Sequence, residues 1–95
     1  MKKEFNYNYI FLFYDVKEKR VNKVFKKCKK YLTHWQNSVF RGDITPAKII
    51  ELENELKNII DEKEDFVSII KLMSNKSMAE TNLGTKKNNA EDMFL

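Results

Sequence analysis

The segment Tyr9-Ile10-Phe11-Leu12-Phe13-Tyr14 is a run of six aromatic or branched residues that ends at Asp15. Such a run is too short to cross a membrane, and it predicts a β-strand that is buried on both faces. The carboxylate that follows lies at the mouth of the strand, where an open sheet exposes groups for chemistry. We therefore expect a first strand over residues 9–14 and treat Asp15 as a candidate functional residue.

A strongly basic helix is predicted directly after this strand. Apolar residues recur there at intervals of three and four, which define one helical face. These residues are Val21, Val24, Phe25, Cys28, Tyr31 and Leu32. The helix is expected to start at Asp15 or Val16 and to end near Leu32, with Asp15 and Glu18 forming a capping box. Eight of the eighteen Lys and Arg residues lie between positions 17 and 30, beside one acid. A lone carboxylate beside a positive helix suggests that a polyanion is held near a metal-binding group.

The remaining sequence predicts further strands, a second helix and a tail. Residues 34–44 are expected to form one bent strand or two short ones, with Gly42 permitting the bend. Thr45-Pro46 marks a helix start. The buried stripe of that helix is Ile49, Leu52, Leu56, Ile59 and Ile60. A charged connection over 61–65 leads to a strand over 66–72.

This order of elements predicts an α+β fold of the ferredoxin-like split βαβ type, with an antiparallel sheet and two helices. We expect one domain over residues 1–74 and a C-terminal arm or tail over residues 75–95. The tail carries isolated apolar anchors at Met78, Leu83, Met93, Phe94 and Leu95. Because the core is small and the tail carries anchors, we predict a homodimer in which this strand or arm is exchanged between subunits.

Composition limits the class of protein. Among 95 residues, 42% are hydrophobic and 13% aromatic, which excludes a disordered chain. A domain of this size has a marginal core. The single cysteine, Cys28, cannot form an internal disulfide and fits a reducing compartment. Met1-Lys2-Lys3 looks like the start of a signal peptide, but the apolar run is short and lacks a cleavage site. We therefore expect a cytoplasmic, unprocessed protein without a membrane partner.

Two blocks and their spacing carry a resemblance to a known family. Residues 9–16 look like an apolar strand that ends in Tyr-Asp-Val, and residues 36–42 read Gln-Asn-Ser-Val-Phe-Arg-Gly. Together they resemble the CRISPR-associated Cas-two family, over about residues 7–72. The resemblance implies a ferredoxin-like protomer and a symmetric homodimer that bridges copies of the Cas-one integrase and holds a DNA duplex. It also implies, for some relatives, a metal-dependent endonuclease that acts on RNA or DNA.

The resemblance implies roles for individual residues. Asp15 matches the family's metal-binding, catalytic aspartate, and a twofold axis would bring two copies of it to one Mg²⁺ or Mn²⁺ ion. Tyr14, Ser38 and Phe40 match motif residues, and His34 lies where many relatives carry arginine. Arg20 matches a basic family position approximately. The basic helix is expected to supply the nucleic-acid contacts, which are Arg20, Lys23, Lys26, Lys27 and Lys30.

Alternatives remain open for these sites and for the function. Asp15 could act only as a helix cap worth about 1 kcal/mol, the lysines could form a solvated face, and Asp43 is a candidate second carboxylate. The leading function is an adaptation scaffold for duplex DNA, with RNA as the other nucleic acid. The alternative is a stand-alone metal-dependent ribonuclease of toxin type, like virulence-associated protein D. An RNA-recognition module would need an RNP1-like run of Gly and exposed aromatics, which no strand supplies.

Overall fold

The chain folds into four strands and two helices within residues 6–85, which are the residues that this computed structural model describes. In chain order the elements are β1 (Tyr9–Asp15), α1 (Glu18–Tyr31), β2 (Thr33–Gln36), β3 (Val39–Asp43), α2 (Pro46–Ile59) and β4 (Phe66–Leu72), followed by a short 3-10 helix (Asn75–Ser77). All neighbouring strands are antiparallel, in the order β2-β3-β1-β4. The predicted α+β, ferredoxin-like fold with two helices is confirmed.

The hydrophobic core lies between the sheet and the two helices. Central strand β1 contributes Ile10 and Leu12, and β3 contributes Phe40, all three without exposed surface. Both helices pack on this side of the sheet through their predicted stripes, which supply Val24, Cys28, Leu32, Ile49, Leu52 and Leu56 to the same cluster. The position of β1 at the sheet centre fixes Asp15 at the end of the most deeply packed strand.

The other side of the sheet carries no α-helix among the described residues, so the prediction that β1 is buried on both faces is wrong. Side chains alternate along a strand, and β1 turns Phe11 and Phe13 to this side, which we call the open face. Strand β4 adds Phe66 and Ile70 to it. Phe13 is 37% exposed, Ile70 49% and Phe66 64%. Residues 6–85 form only two α-helices, and because both pack on one side, an apolar surface remains on the other.

Helix α1 does not start as predicted. Asp15 is the last residue of β1, and the residue before the helix is Lys17, which makes no side-chain capping hydrogen bond. The predicted capping box of Asp15 and Glu18 is therefore wrong. A carboxylate 48 positions further along the chain takes its place, because Asp65 Oδ1 accepts the Lys17 backbone N–H at 2.9 Å.

The segment after α1 forms two short strands joined by a tight turn at Asn37-Ser38. Asn37 has φ of +48°, a left-handed conformation that Asn adopts more readily than most residues. Of the two arrangements predicted for residues 34–44, two short strands is the one that forms, and Gly42 lies inside β3. The predicted start of α2 is confirmed, since Thr45 caps it by accepting the Lys48 N–H.

The segment after β4 returns to the domain through a polar contact. Glu80 forms an ion pair with Arg41 of β3, whereas Leu83 is 92% exposed. The anchors at 93–95 lie outside the described residues, so the exchanged arm and the limits at 74 and 75 stay predictions. Within residues 6–85 no helix has the length and apolar character needed to span a membrane.

Candidate metal and nucleic-acid sites

Asp15 ends β1 with its side chain exposed, and its backbone pairs with Phe66 of β4. Among residues 6–85 its carboxylate makes no hydrogen bond or ion pair. The core below holds the strand rigidly, while the carboxylate itself projects from the surface. Such a group can bind a cation or accept a proton without first breaking an internal contact.

The carboxylate of Asp15 has no neighbouring ligand set within one chain. No group of three or more His, Cys, Asp or Glu side chains in the described part of the molecule could hold a metal ion. Asp43, the candidate second acid, pairs with Tyr9 at the opposite end of β1. Mg²⁺ keeps several waters and binds through one or two protein carboxylates plus phosphate oxygens. Asp15 therefore fits such an ion as a single ligand that needs a partner from outside this chain.

Tyr14, Ser38 and Phe40, the three motif residues, come together beside Asp15. The Tyr14 backbone N–H donates to the Ser38 carbonyl at 3.1 Å, and their side chains share a hydrogen bond. The Tyr14 ring stacks on Phe40 with 6.2 Å between ring centroids. These contacts tie the end of β1 to the β2–β3 turn. In this structure the motif residues fix the strand that carries Asp15.

His34 strengthens the same turn from its other side. Its Nε2–H donates to the Asn37 carbonyl at 2.7 Å, and its ring packs against Phe25 and Phe40 at 5.1 and 4.9 Å. This hydrogen bond fixes the left-handed Asn37 in place. His34 therefore has a packing role at this turn.

Tyr14 and Cys28 make the fold sensitive to alkali. Burial raises the pKa of Tyr14 from 10.0 to about 12 and that of the Cys28 thiol from 9.0 to about 12. Because both pKa values are higher in the folded protein, this stabilisation is complete below about pH 9 and is lost as pH rises towards 12. We expect the free energy of unfolding to fall by about 1.4 kcal/mol per pH unit for each group within its range. Urea unfolding at pH 8–11 measures this slope. Cys28→Ala should remove the part of this fall in stability that begins near pH 9. A free energy of unfolding that stays constant over pH 8–11 would contradict the roles given to Tyr14 and Cys28.

Four lysines of α1 that were predicted to contact nucleic acid divide into two groups. Lys27 and Lys30 lie 3.6 and 3.9 Å from Glu55 of α2, so their charges are partly balanced within the chain. Lys23 and Lys26 are exposed and form no ion pair with any described residue. Together with Lys27 and Ile59 they line an open depression on the surface. Lys19 is also paired, with Glu64 at 3.8 Å. Lys23 and Lys26 therefore carry positive charge on α1 that no carboxylate among residues 6–85 balances.

Two glutamates of α2 contact the tyrosine at the end of α1. The Tyr31 hydroxyl lies 2.6 Å from both Glu51 Oε1 and Glu55 Oε2 and can donate its one proton to either. This contact lowers the pKa values of Glu51 and Glu55 and raises that of Tyr31. Both acids therefore stay ionised beside the lysines. Helix α2 is acidic and helix α1 is basic, and the two helices pack against each other.

Arg20, predicted as a nucleic-acid contact, is engaged inside the protein. Its Nε donates to Asp65 Oδ2 at 2.5 Å, and its Nη2 donates to Glu64 Oε1 at 2.8 Å and to Asp65 Oδ1 at 3.1 Å. The Asp65 side chain is fully buried and that of Arg20 is 16% exposed. The hydrogen bonds from Arg20 hold the pKa of Asp65 well below its ordinary value. Arg20 is thereby separated from the lysine group, and a phosphate contact by it stays a prediction.

Asp65 and Glu55 are the site residues that the sequence analysis missed. Asp65 stands in a run of five charged residues, Asp61-Glu62-Lys63-Glu64-Asp65, that looks like a solvated turn. The one signal was its position directly before β4, because an antiparallel β4 beside β1 brings Asp65 next to the residue after Asp15. Glu55 lies one residue before Leu56 of the buried stripe, and only the packing of α2 on α1 reveals its lysine partners.

Comparisons with known proteins agree on one family. The family described as CRISPR associated protein Cas2 matches residues 8–80. The chain is 42% identical to a "CRISPR-associated endoribonuclease Cas2" of Thermotoga maritima, over 92% of this chain and 98% of that protein. It is 44% identical to a protein of the same description from Pyrococcus furiosus, over 90% and 99% of the two chains. A crystal structure of a Cas2 protein superposes with a TM-score of 0.78 at 37% identity, covering 88% of this chain and 94% of the other.

Proposed function

The chain belongs to the CRISPR-associated protein Cas2 family, and on that premise we propose that it is a homodimeric adaptation protein of a CRISPR system. In this role it binds duplex DNA and the Cas-one integrase during spacer acquisition. The observation that carries the proposal is the separation of two surfaces. An apolar open face lies on one side of the sheet, and uncompensated lysines lie on the helical side.

The open face supports the homodimer. Phe13, Phe66 and Ile70 form an exposed apolar surface on neighbouring strands, and such surfaces mark interaction sites. A second copy offers an identical apolar face, which is the self-complementary geometry of a twofold dimer. Association through this face leaves both lysine helices on the outside of the dimer.

The lysine helix supports binding to the phosphate backbone. Lys23 and Lys26 lie one helical turn apart, both exposed. Lysine is a point charge without base-specific geometry, which suits contacts that ignore sequence. Two such helices on the outside of a dimer form an extended positive surface that fits a rigid duplex. Lys27 and Lys30 contribute less to this surface, because Glu55 balances part of their charge.

Asp15 supports a second candidate function, metal-dependent cleavage of RNA or DNA. The relatives are named endoribonucleases, and Asp15 is an exposed carboxylate at the position that matches the family's metal ligand. In a dimer two Asp15 side chains would hold one Mg²⁺ or Mn²⁺ ion across the axis, with waters and phosphate completing the shell. The ion would polarise a phosphoryl group and lower the pKa of a bound water.

Asp15→Asn distinguishes the two functions. The change keeps the side-chain shape and removes the charge that attracts a cation, and the folded core does not contact that carboxylate. We expect any Mg²⁺- or Mn²⁺-dependent cleavage to fall by about tenfold or more, whereas spacer acquisition in cells that carry the native integrase continues. Cleavage is measured with the purified dimer, and acquisition is measured in cells.

Two outcomes would contradict this scheme. Undiminished cleavage by a folded, nuclease-free Asp15→Asn preparation would exclude Asp15 as the catalytic residue. Loss of acquisition by Asp15→Asn, with its dimer intact, would make the nuclease the principal function. A cell lacking the chain altogether should acquire no spacers, and normal acquisition without it would overturn the adaptation role.

A further inference from the structure

Asp65 closes the end of the sheet where Asp15 lies. The β1–β4 ladder ends with the pair Asp15 and Phe66, and Asp65 is the next residue on the β4 side. Its carboxylate accepts hydrogen bonds from the backbone N–H groups of Lys17 and Asp61, at 2.9 and 2.8 Å. The side chain of Asp65 thus continues the contact between the two strands one step past the last backbone pair.

We propose that Asp65, held by Arg20, is the positioning residue for Asp15. This inference rests on the proposed metal role of Asp15 and adds the reason why that carboxylate is available. The β1–α1 connection consists of two residues, Val16 and Lys17. Fixing the Lys17 amide therefore fixes the backbone that leaves Asp15, and with it the direction of the carboxylate.

The positive groups that follow Asp15 need a carboxylate partner, and Asp65 supplies it. The connection after Asp15 leads into the N-terminus of α1, whose first N–H groups attract carboxylates. The Arg20 guanidinium, in the first turn of that helix, attracts them as well. Asp65 engages the Lys17 amide, and with Glu64 it binds Arg20. Without Asp65, the Lys17 amide would lose its carboxylate partner, and the backbone between Asp15 and Lys17 would no longer be held. The Asp15 carboxylate would then sample several directions and would bind a cation less tightly.

Neutralising Arg20 has a second consequence for the cation. An uncompensated guanidinium five residues from Asp15 would repel a divalent ion at that carboxylate. Asp65 is fully buried and forms the closer and better-shielded pair with Arg20, whereas Glu64 is 43% exposed. Loss of the Asp65 carboxylate should therefore weaken metal binding. Glu64 provides a matched control, because its carboxylate pairs with the same Arg20 side chain.

The experiment compares Asp65→Asn with Glu64→Gln in the full-length dimer. The probe is Mn²⁺, and the readout is the concentration that half-saturates the paramagnetic broadening of the Val16 amide resonance. We expect Asp65→Asn to raise that concentration about tenfold or more, as changes to groups that orient metal ligands do. Glu64→Gln should change it less than about twofold, since exposed ion pairs contribute little. A loss of folded protein would lower the amplitude and leave the half-saturating concentration unchanged.

A second readout needs no metal. Hydrogen exchange of the Lys17 amide should accelerate in Asp65→Asn while exchange in α2 stays at the native rate. Arg20→Lys keeps the positive charge and loses the forked geometry of the guanidinium. We therefore expect it to accelerate exchange of the Lys17 amide by a smaller amount. If Asp65→Asn does not fold, Arg20→Lys replaces it in the experiment.

The outcomes separate the two proposals. A folded Asp65→Asn protein with native Mn²⁺ affinity and native Lys17 exchange would overturn the positioning role. A native dimer that does not bind Mn²⁺ near Asp15 would overturn the metal site of the proposed function. The positioning of Asp15 would then be decided by the Lys17 exchange rates alone.

Discussion

Replacing Lys23 and Lys26 together by glutamate is expected to weaken binding of duplex DNA about a hundredfold at physiological salt. Both side chains are exposed and have no ion-pair partner among residues 6–85, so the reversal removes two cations and adds two anions on the outside of α1. Because the variant dimer would neutralise about four fewer phosphates, the log–log dependence of affinity on salt should become shallower by about 3.6. Fluorescence anisotropy with duplexes of unrelated sequence, measured over a range of salt, gives both quantities.

The matched control is Lys57→Glu with Lys63→Glu, which makes the same change in net charge. Lys57 borders a groove beside Val67 and Ile69, on the β4 side of α2 and away from α1. We expect this control to lower affinity only slightly. Equal losses in both double variants would indicate a general effect of net charge, and native binding by the Lys23/Lys26 variant would remove α1 as the DNA contact. Spacer acquisition should follow the binding results.

Lys27 and Lys30 are omitted from that variant for a structural reason. The sequence pattern places all four lysines on one exposed face that avoids the apolar stripe. In the folded chain, glutamate at position 27 or 30 would face Glu55 and the neighbouring Glu51. Such a change would destabilise the packing of the two helices, and a loss of DNA binding could not then be separated from a loss of structure.

The fold was predictable because local patterns agree with the tertiary arrangement. The apolar run at 9–14 became the central strand, and the stripes of both helices became the core. The error at the start of α1 arose because a contact between distant residues replaced a local one: Asp65 took the place of the expected capping group. No pattern within a few residues of Asp15 could reveal that contact. The turn after α1 is local, and it formed at Asn37, which adopts the left-handed conformation, and not at Gly42.

The candidate site was predictable in part for the same reason. The motif residues Tyr14, Ser38 and Phe40 meet because neighbouring strands bring them together, and the resemblance identified them without their geometry. Arg20 was grouped with the lysines because sequence gives its charge and not its partner. Its two carboxylates lie 44 and 45 positions away, a separation that only the β1–β4 pairing brings into contact.

The largest structural effect is expected at the open face. Ile70→Lys should convert the dimer to a monomer, because Ile70 lies in the middle of β4, paired with Phe11 of β1. An identical face closing on it would bury the ammonium group without a partner, and burying an unpaired charge costs far more than the apolar contact it replaces. Light scattering after gel filtration at micromolar concentration measures the mass directly. Duplex binding should weaken with dimer loss, because each monomer carries only one lysine helix.

Ile50→Lys is the matched control, since it places the same charge on an isoleucine of similar exposure. Ile50 is 60% exposed on α2 and Ile70 is 49% exposed on the sheet, so the two changes differ mainly in the side of the molecule that they alter. We expect Ile50→Lys to remain a dimer with native thermal stability. A dimeric Ile70→Lys protein beside a monomeric Ile50→Lys protein would place the interface on the helices. In that arrangement Lys23 and Lys26 would approach the partner subunit, and the open face would have to contact something other than a second copy. The pair of variants therefore tests the dimer and the direction in which the lysine helices face.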